Sequence, residues 1–360
     1  MHLVVDLSAH GFGHIAQSAP VLEELSRRLP QLTLTIRSAA PTQVLARRIS
    51  CRFRHISQAN DVGMTMKSAL DLDLEQSWSA YQAFHREWED KVQRETEALG
   101  ALHPDLLLAN VPYLSLAAAK QARIEAVAMC SLNWADIFGH YFSAEPGGAS
   151  LYGEILDAYD CAACFLKLTP GMNMPELRAT RKVGPIAQVG KNRRAEITLR
   201  LKLSGDEKLV LLGLGGIAIR LPVERWPRMR SVRWLVEKAW SVNHPDAIVL
   251  ESLELPFPDL LASCDALITK PGYGAFTEAA CNGIPVLYVD RPDWPEASYL
   301  NGWLREYGEC LEIDRAALMR GEFEEVLQTM LARPRRATIS PAGIAEVADF
   351  LVSRLMATVA

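Results

Sequence analysis

Three glycine-punctuated turns, one histidine and a spaced set of carboxylates are the residues of this chain with the means to do chemistry. The first turn, Ser8-Ala9-His10-Gly11-Phe12-Gly13-His14, follows the apolar run 3–7. The second, Gly213-Leu214-Gly215-Gly216, follows the apolar run 208–212. Glycines after a buried strand let backbone N–H groups approach a diphosphate, and a helix N-terminus behind them offsets its charge without a metal. A third turn, Pro271-Gly272-Tyr273-Gly274, opens the stretch 269–302, which reads as strand, loop, short helix over 275–281, strand and proline-rich loop. Glu278 lies in that helix, and Asp293 and Glu296 lie in the loop beyond. Their order along one strand–helix–strand unit suits hydroxyl recognition on an elongated ligand better than a metal site or an acid–base pair. His14 sits at the mouth of the first turn, where the positive end of a helix favours the neutral imidazole and hence a general base. That turn belongs to the ligand rim of an α/β sheet, so His14 is expected outside the core. His10 is the second choice, in a loop with no defined direction.

Two other readings of these residues compete. Gly11-Phe12-Gly13-His14-Ile15-Ala16 fits the dinucleotide fingerprint, but the next strand ends in Ile36-Arg37-Ser38 and supplies no acidic residue for a ribose. Only an NADP site built on Arg37 would rescue a dehydrogenase. Cys161-Ala162-Ala163-Cys164 has redox spacing but no second pair to complete a metal site. Reduced core cysteines are the expectation for all seven.

The elements that must position these residues alternate between strand and helix. After the βαβ unit of residues 3–36 come strands near 53–56, 105–109, 126–130 and 163–168. A long helix over 74–99 carries Trp78, Tyr81, Phe84 and Trp88, read as a packing face. Residues 169–203 are broken by Pro170, Gly171, Pro175, Gly184, Pro185 and Gly190 and carry a basic cluster, and are assigned to a solvated interdomain connection. A second α/β series follows, with strands near 208–212, 234–237 and 247–250. The expected fold is therefore α/β, with two Rossmann-like domains facing across a cleft. The expected boundaries are 1–185 and 186–340, with a C-terminal helix over 341–360 that could cross back to the first domain; the resemblance described below makes the first the acceptor side and the second the nucleotide-sugar side.

Composition narrows the function classes. The 360 residues carry a net charge of −5, with 49% hydrophobic and 22% charged residues, which fits a globular protein and gives no global positive field for nucleic acid. No apolar run reaches the length of a membrane span, and the N-terminus does not read as a signal peptide, so a cytoplasmic protein is expected.

The segments GFGHIAQ and KPGYGAFTEAACNGIPVLYVDRPDWPE resemble those of GT-B glycosyltransferases, in particular the family 28 group that includes the peptidoglycan N-acetylglucosaminyltransferase. The likeness is dense over 209–308 and confined in the first half to the opening βαβ unit. The first loop is also similar to that of the nucleotide-sugar hydrolase of pseudaminic acid synthesis. The resemblance implies an inverting, metal-independent transfer of a hexosyl or N-acetylhexosaminyl group from a nucleotide diphosphate sugar, UDP-linked by expectation, to an acceptor hydroxyl. It places Glu278 on the ribose, Gly272, Tyr273 and Gly274 on the diphosphate, Gly13, Gly215 and Gly216 around the donor, and His14 as base or diphosphate ligand. The family's acid–glutamine pair for the donor sugar is absent here, which leaves Asp293 and Glu296 for that task. No cofactor or metal is implied. A nucleotide-sugar hydrolase and a non-catalytic nucleotide-sugar-binding module are the alternatives, and the acceptor side, near 57–73 and 133–150, allows a peripheral membrane contact.

Overall fold

The computed structural model describes residues 1–216, 219–229 and 231–357. The chain divides into two units: Met1–Lys67, Asp71–Ile186 and the segment from Ala342 form unit 1, and Ser68–Leu70 with Ala187–Pro341 form unit 2.

Unit 1 is built on strands β1 (His2–Leu7), β2 (Thr33–Arg37), β3 (Arg54–Ile56), β4 (Leu106–Asn110), β5 (Ala126–Cys130), β6 (Cys164–Leu168) and β7 (Thr180–Val183). They form one parallel sheet in the order β3-β2-β1-β4-β5-β6-β7. The central strands are buried along their whole length, which is why they read as continuous rather than alternating apolar runs. Helices α1 (Gly13–Arg28), α2 (Thr42–Ala46), α3 (Leu74–His85), α4 (Trp88–Gly100), α5 (Leu114–Gln121), α6 (Trp134–Phe142) and α7 (Gly148–Tyr159) make the crossovers. The helix expected over 74–99 is two helices, because Arg86 is extended and Glu87 is left-handed at φ 60°. Its aromatic stripe does pack inward, with Tyr81 fully buried and 4.8 Å from Phe138 ring to ring.

Unit 2 carries β8 (Lys208–Leu212), β9 (Val232–Val236), β10 (Ala247–Val249), β11 (Ala266–Thr269), β12 (Val286–Tyr288) and β13 (Cys310–Glu312). The sheet is again parallel, in the order β10-β9-β8-β11-β12-β13. Its helices are α8 (Arg194–Leu201), α9 (Phe257–Ala262), α10 (Tyr273–Asn282), α11 (Ala297–Tyr307), α12 (Arg315–Arg320) and α13 (Glu324–Ala332). One core gathers Trp226, Trp234 and Phe323 edge to face, with ring centres 4.9–6.0 Å apart. The last helix, α14 (Gly343–Ala357), belongs to unit 1, where it packs on α1 and Glu346 accepts a 2.9 Å bond from the Gly184 amide.

Two expectations need correction. The connection over 169–203 is not structureless: it holds β7 as the last strand of the first sheet and α8 of the second unit. The charged Thr180-Arg181-Lys182 run hides an edge strand, where side chains face solvent. The turn at 213–216 has no α-helix behind it among the described residues. Among the described residues the β8–β9 crossover contains a single 3₁₀ turn, Val223–Arg225, and there the two halves are not equivalent at their first glycine turns.

Candidate active site

In each sheet the strand order reverses once, between β1 and β4 in unit 1 and between β8 and β11 in unit 2. Parallel sheets bind ligands at the carboxyl ends of the strands beside such a reversal, because the flanking loops diverge there. The candidate residues of each unit fall on these two rims.

On the rim of unit 1, Gly11 adopts φ 81°, which turns the chain out of β1 and into α1. His14 lies in the first turn of α1 and is only 5% exposed, contrary to the expectation that it stays out of the core. The reason is Asn110, the last residue of β4, paired in register with Leu7 and fully buried. Its Oδ1 lies 2.9 Å from His14 Nδ1. Its Nδ2 donates to Ser18 Oγ at 3.0 Å and to Gln17 Oε1 at 3.1 Å, and Gln17 in turn donates to Ser131 Oγ at 2.8 Å. With its amide nitrogen thus engaged, Asn110 presents its oxygen to the imidazole, so Nδ1 carries the proton and Nε2 the lone pair. Gly13 has open space where a Cβ would stand, so no neighbour in the chain demands glycine there.

Trp134, at the start of α6, covers this histidine. Its ring centre lies 6.0 Å from that of His14 and 5.2 Å from that of His10. Its Nε1 donates to Asp61 Oδ2 at 2.8 Å. Burial pushes the Asp61 carboxyl up to about 6, against hydrogen bonds from Ser8 and Trp134 that lower it, while the nearby Asp6 adds to the rise. Arg37 does not serve a cofactor phosphate. It is 2% exposed and holds Asp6 at 2.5 and 2.6 Å and Glu95 at 2.5 Å. That leaves the NADP reading without its cation.

On the rim of unit 2, Thr269 at the end of β11 donates to the Gly213 carbonyl at 2.6 Å and ties the two turns of the reversal together. Gly215 takes φ 86°, and it and Gly216 are exposed. The next turn is shorter than the sequence suggests. Gly272 caps α10, so Tyr273 and Gly274 are already helical, and the first intrahelical bond runs from Phe276 N to Gly272 O at 3.1 Å. The opening N–H groups of α10 therefore come from Tyr273, Gly274 and Ala275, which keeps the positive helix end at this rim. Glu278 lies one turn on and is 2% exposed. Asp293 and Glu296 part company: Asp293 is exposed, whereas Glu296 is 6% exposed and accepts from Trp294 Nε1 at 3.2 Å.

Five residues here escape a reading by motif: Asn110, Asp61, Trp134, Lys270 and Arg291. Lys270 follows β11 directly, and a Cβ on Gly215 would stand 3.9 Å from its Cε and Nζ. Arg291, 7% exposed, lies with its guanidinium carbon 5.0 Å over the Trp294 ring. The available signal was polarity at the end of a wholly apolar strand, which both Asn110 and Lys270 display. Among the described residues no group of His, Cys, Asp and Glu is arranged to hold a metal ion, the cysteines form no disulfide, and no helix is long and apolar enough to cross a membrane.

No protein-family model matches the chain. It is 23% identical over 326 residues to the L-arabinokinase of Arabidopsis thaliana, a match that covers 89% of this chain. The chain spans about a third of the length of that relative, 31%. Among solved structures it is similar to CalG4, the calicheamicin glycosyltransferase, with a TM-score of 0.63 and 17% identity over 98% of both chains. It is also similar to Arabidopsis thaliana UGT89C1, with a TM-score of 0.62 and 14% identity over 98% of this chain and 99% of that one. The spinosyn rhamnosyltransferase SpnG matches at a TM-score of 0.57 and 15% identity, over 99% and 96% of the two chains. At these identities the likeness establishes the fold: two parallel-sheet α/β domains of the GT-B kind.

Proposed function

We propose that the protein is a glycosyltransferase that takes a sugar from a nucleotide diphosphate sugar, with the donor assigned to unit 2 and the base to unit 1. The observation that carries the reading is the His14–Asn110 pair at 2.9 Å, buried at the strand reversal of a sheet that folds as glycosyltransferases do. Asn110 fixes the tautomer, and His14 Nε2 takes the proton of an acceptor hydroxyl as its oxygen attacks the anomeric carbon. Attack opposite the departing nucleotide diphosphate inverts that carbon. The opening amides of α10 and the turn at 213–216 offset the charge of the leaving diphosphate, and Glu278 accepts hydrogen bonds from the ribose hydroxyls. Glu296 is the better of the two loop carboxylates for a sugar hydroxyl, because it is buried and accepts from the Trp294 indole whereas Asp293 is exposed. One solved relative was crystallised with UDP, which supports a uridine donor.

One observation favours a second reading, a module that binds a nucleotide sugar and turns it over slowly or not at all. The Asn110 amide at Nδ1 orients the imidazole without itself carrying a charge that would stabilise the imidazolium formed when it takes a proton. Titrating UDP by calorimetry and following UDP release from UDP-glucose with and without an acceptor panel separates the cases. Binding with acceptor-stimulated release supports transfer, rapid release without acceptor supports hydrolysis, and binding without release supports the module. Absence of binding by UDP and by the other nucleoside diphosphates refutes the nucleotide-sugar assignment as a whole.

A further inference from the structure

One carboxylate on the rim of unit 1 has no part in the steps assigned above. Asp61 lies in the loop after β3, and its neighbours in sequence place it. Asn60 Nδ2 donates to Asp6 Oδ2 at 2.6 Å. Gly63 takes φ 65°, and a Cβ on it would come within 2.9 Å of the His10 ring, so glycine lets this loop close on the turn after β1. Between these two points Asp61 accepts from Trp134 Nε1 at 2.8 Å and from the Ser8 hydroxyl. The indole is fixed in turn. Trp134 opens α6, which Asn133 caps by accepting from the Asp136 amide at 2.7 Å. The Trp134 amide donates to Tyr159 Oη at 3.1 Å, and that hydroxyl donates at 2.8 Å to the carbonyl of Val111, next to Asn110. So the fully buried indole gives its N–H to Asp61, while its ring centre lies 5.2 Å from that of His10 and 6.0 Å from that of His14.

A backbone carbonyl or a neutral amide would satisfy a buried indole N–H. The chain instead places a carboxylate there, at a cost: burial pushes that carboxyl up to about 6, against the bonds from Ser8 and Trp134. A charged acceptor draws the indole N–H toward itself and enriches the negative face of the ring. That face attracts a cation out to about 6 Å from the ring centre.

We propose that Asp61, acting through the Trp134 indole, stabilises the imidazolium formed on His14 and so is a positioning residue for the base. The proposal deepens the transferase reading and rests on it for the step in which the charge appears. His14 Nε2 takes the proton of the acceptor hydroxyl, its Nδ1 proton stays on the bond to Asn110, and Asp61 gains none. Asn110 fixes the tautomer and Asp61 supplies charge, two tasks that a single carboxylate at Nδ1 would combine. A unit charge about 10 Å from the imidazole, at an effective dielectric of about 20, favours the imidazolium about 15-fold. Asp61 is half-buried, and solvent cuts this to about three- to tenfold. Asp61 is charged above about 6, so the effect is present there and fades as pH falls through that value. The other titrating groups nearby behave differently. Burial holds the Tyr81 and Tyr159 hydroxyls well above the usual tyrosine range, so they stay neutral. Asp6 is paired with Arg37, and Cys130 Sγ lies 3.7 Å from His14 Nδ1. His10 shares the indole and is followed as a separate signal.

The experiment follows the imidazole C2 protons of His14 and His10 by NMR across pH, each assigned from its His→Gln variant. UDP release from UDP-glucose with the acceptor panel is measured beside it. Asp61→Asn keeps an oxygen for the indole and removes the charge. Its His14 midpoint should fall by about 0.5–1 unit and its turnover about three- to tenfold, with UDP affinity unchanged. Asp61→Glu should restore most of both. Trp134→Phe keeps a ring and loses the N–H, and should lower the midpoint as Asp61→Asn does. A His14 midpoint equal in the wild type and in an Asp61→Asn protein with a normal melting curve overturns the proposal. A lowered midpoint with unchanged turnover overturns it as well, because the charge is then felt by the histidine and not used in the step. A midpoint that Trp134→Phe leaves in place overturns the part given to the indole. If the wild type turns over no nucleotide sugar while Asp61→Asn still lowers the midpoint, the transferase reading falls and the coupling of Asp61 to His14 stands.

Discussion

Replacing Asn110 by aspartate tests whether His14 is a working base. The change puts a carboxylate oxygen where the amide oxygen now stands, 2.9 Å from His14 Nδ1, between two side chains that are almost wholly buried. At an effective dielectric of about 20, a unit charge pair at this separation is worth about 6 kcal/mol. Desolvating the new carboxylate removes most of that gain. If one quarter survives in the transition state, about 1.4 kcal/mol, turnover rises tenfold. The cost appears elsewhere. Ser18 can turn its hydroxyl to donate to a carboxylate, but Gln17 Oε1, which now accepts from Asn110 Nδ2 at 3.1 Å, would face an acceptor. That mismatch costs about 1–3 kcal/mol, and on a chain of this size each kcal/mol lowers Tm by about 2–4 °C. The assay is UDP release from UDP-glucose across pH, alongside a melting curve and a UDP titration. An Asn110→Asp protein that melts a few degrees lower, binds UDP as before and turns over about tenfold faster supports the base. A variant that folds and binds UDP but is no faster than the wild type refutes the reasoning.

Three further predictions address other parts of the structure. Glu278→Gln removes the charge from a buried carboxylate assigned to ribose, and UDP affinity should fall roughly 10- to 100-fold, the loss of one or two charge-assisted hydrogen bonds, with no change for a dideoxyribose analogue. A parallel loss for the analogue would show that the effect is structural. Arg37→Met strands Asp6 and Glu95 without their cation, so urea unfolding should show a loss of about 3–5 kcal/mol at neutral pH. Burial already holds the Glu95 carboxyl up against the lowering effect of Arg37. Without the cation that carboxyl rises further, the folded state binds the extra proton, and the deficit should shrink as pH falls; a deficit that grows on acidification would refute the network. Finally, the Asp61 carboxyl, raised to about 6, touches the indole of Trp134. A raised acid binds its proton more tightly in the folded state, so its contribution is present below the unfolded value and is lost as pH rises through about 6. Tryptophan emission should titrate with that midpoint, and Asp61→Asn should abolish the transition.

The parallel sheets were legible because their central strands are buried on both faces and so read as unbroken apolar runs. The edge strand β7 was not, because Thr180, Arg181 and Lys182 face solvent and carry no apolar periodicity. The split between α3 and α4 was hidden for a different reason: Glu87 adopts a left-handed conformation that glycine or asparagine usually signals. At the rims, glycine marked where the backbone bends but not what the bend carries. His14 could be named from its turn, yet its burial and its tautomer depend on Asn110, 96 residues away. Lys270 sits inside the segment that drew most notice, but only the strand order shows that it stands against the turn after β8. Asp293 and Glu296 illustrate the limit of spacing in a loop: three residues apart, one is exposed and the other is buried and accepts the Trp294 indole N–H.

The return of α14 to unit 1 has a consequence for how the chain is made. Unit 1 is discontinuous, and the stretch Ala187–Pro341 lies between its body and its last helix. During synthesis the sheet of unit 1 emerges before unit 2, with α1 still lacking the helix α14 that packs on it and whose Val347, Leu351 and Leu355 are buried in the finished fold. At about 5–20 residues per second, that face waits on the order of ten to thirty seconds while unit 2 is made. Unit 2 has its helices and strands in one stretch apart from Ser68–Leu70, so most of it is available to fold before the older unit is sealed. Until α14 follows, the face of α1 that it covers stays exposed on the nascent chain.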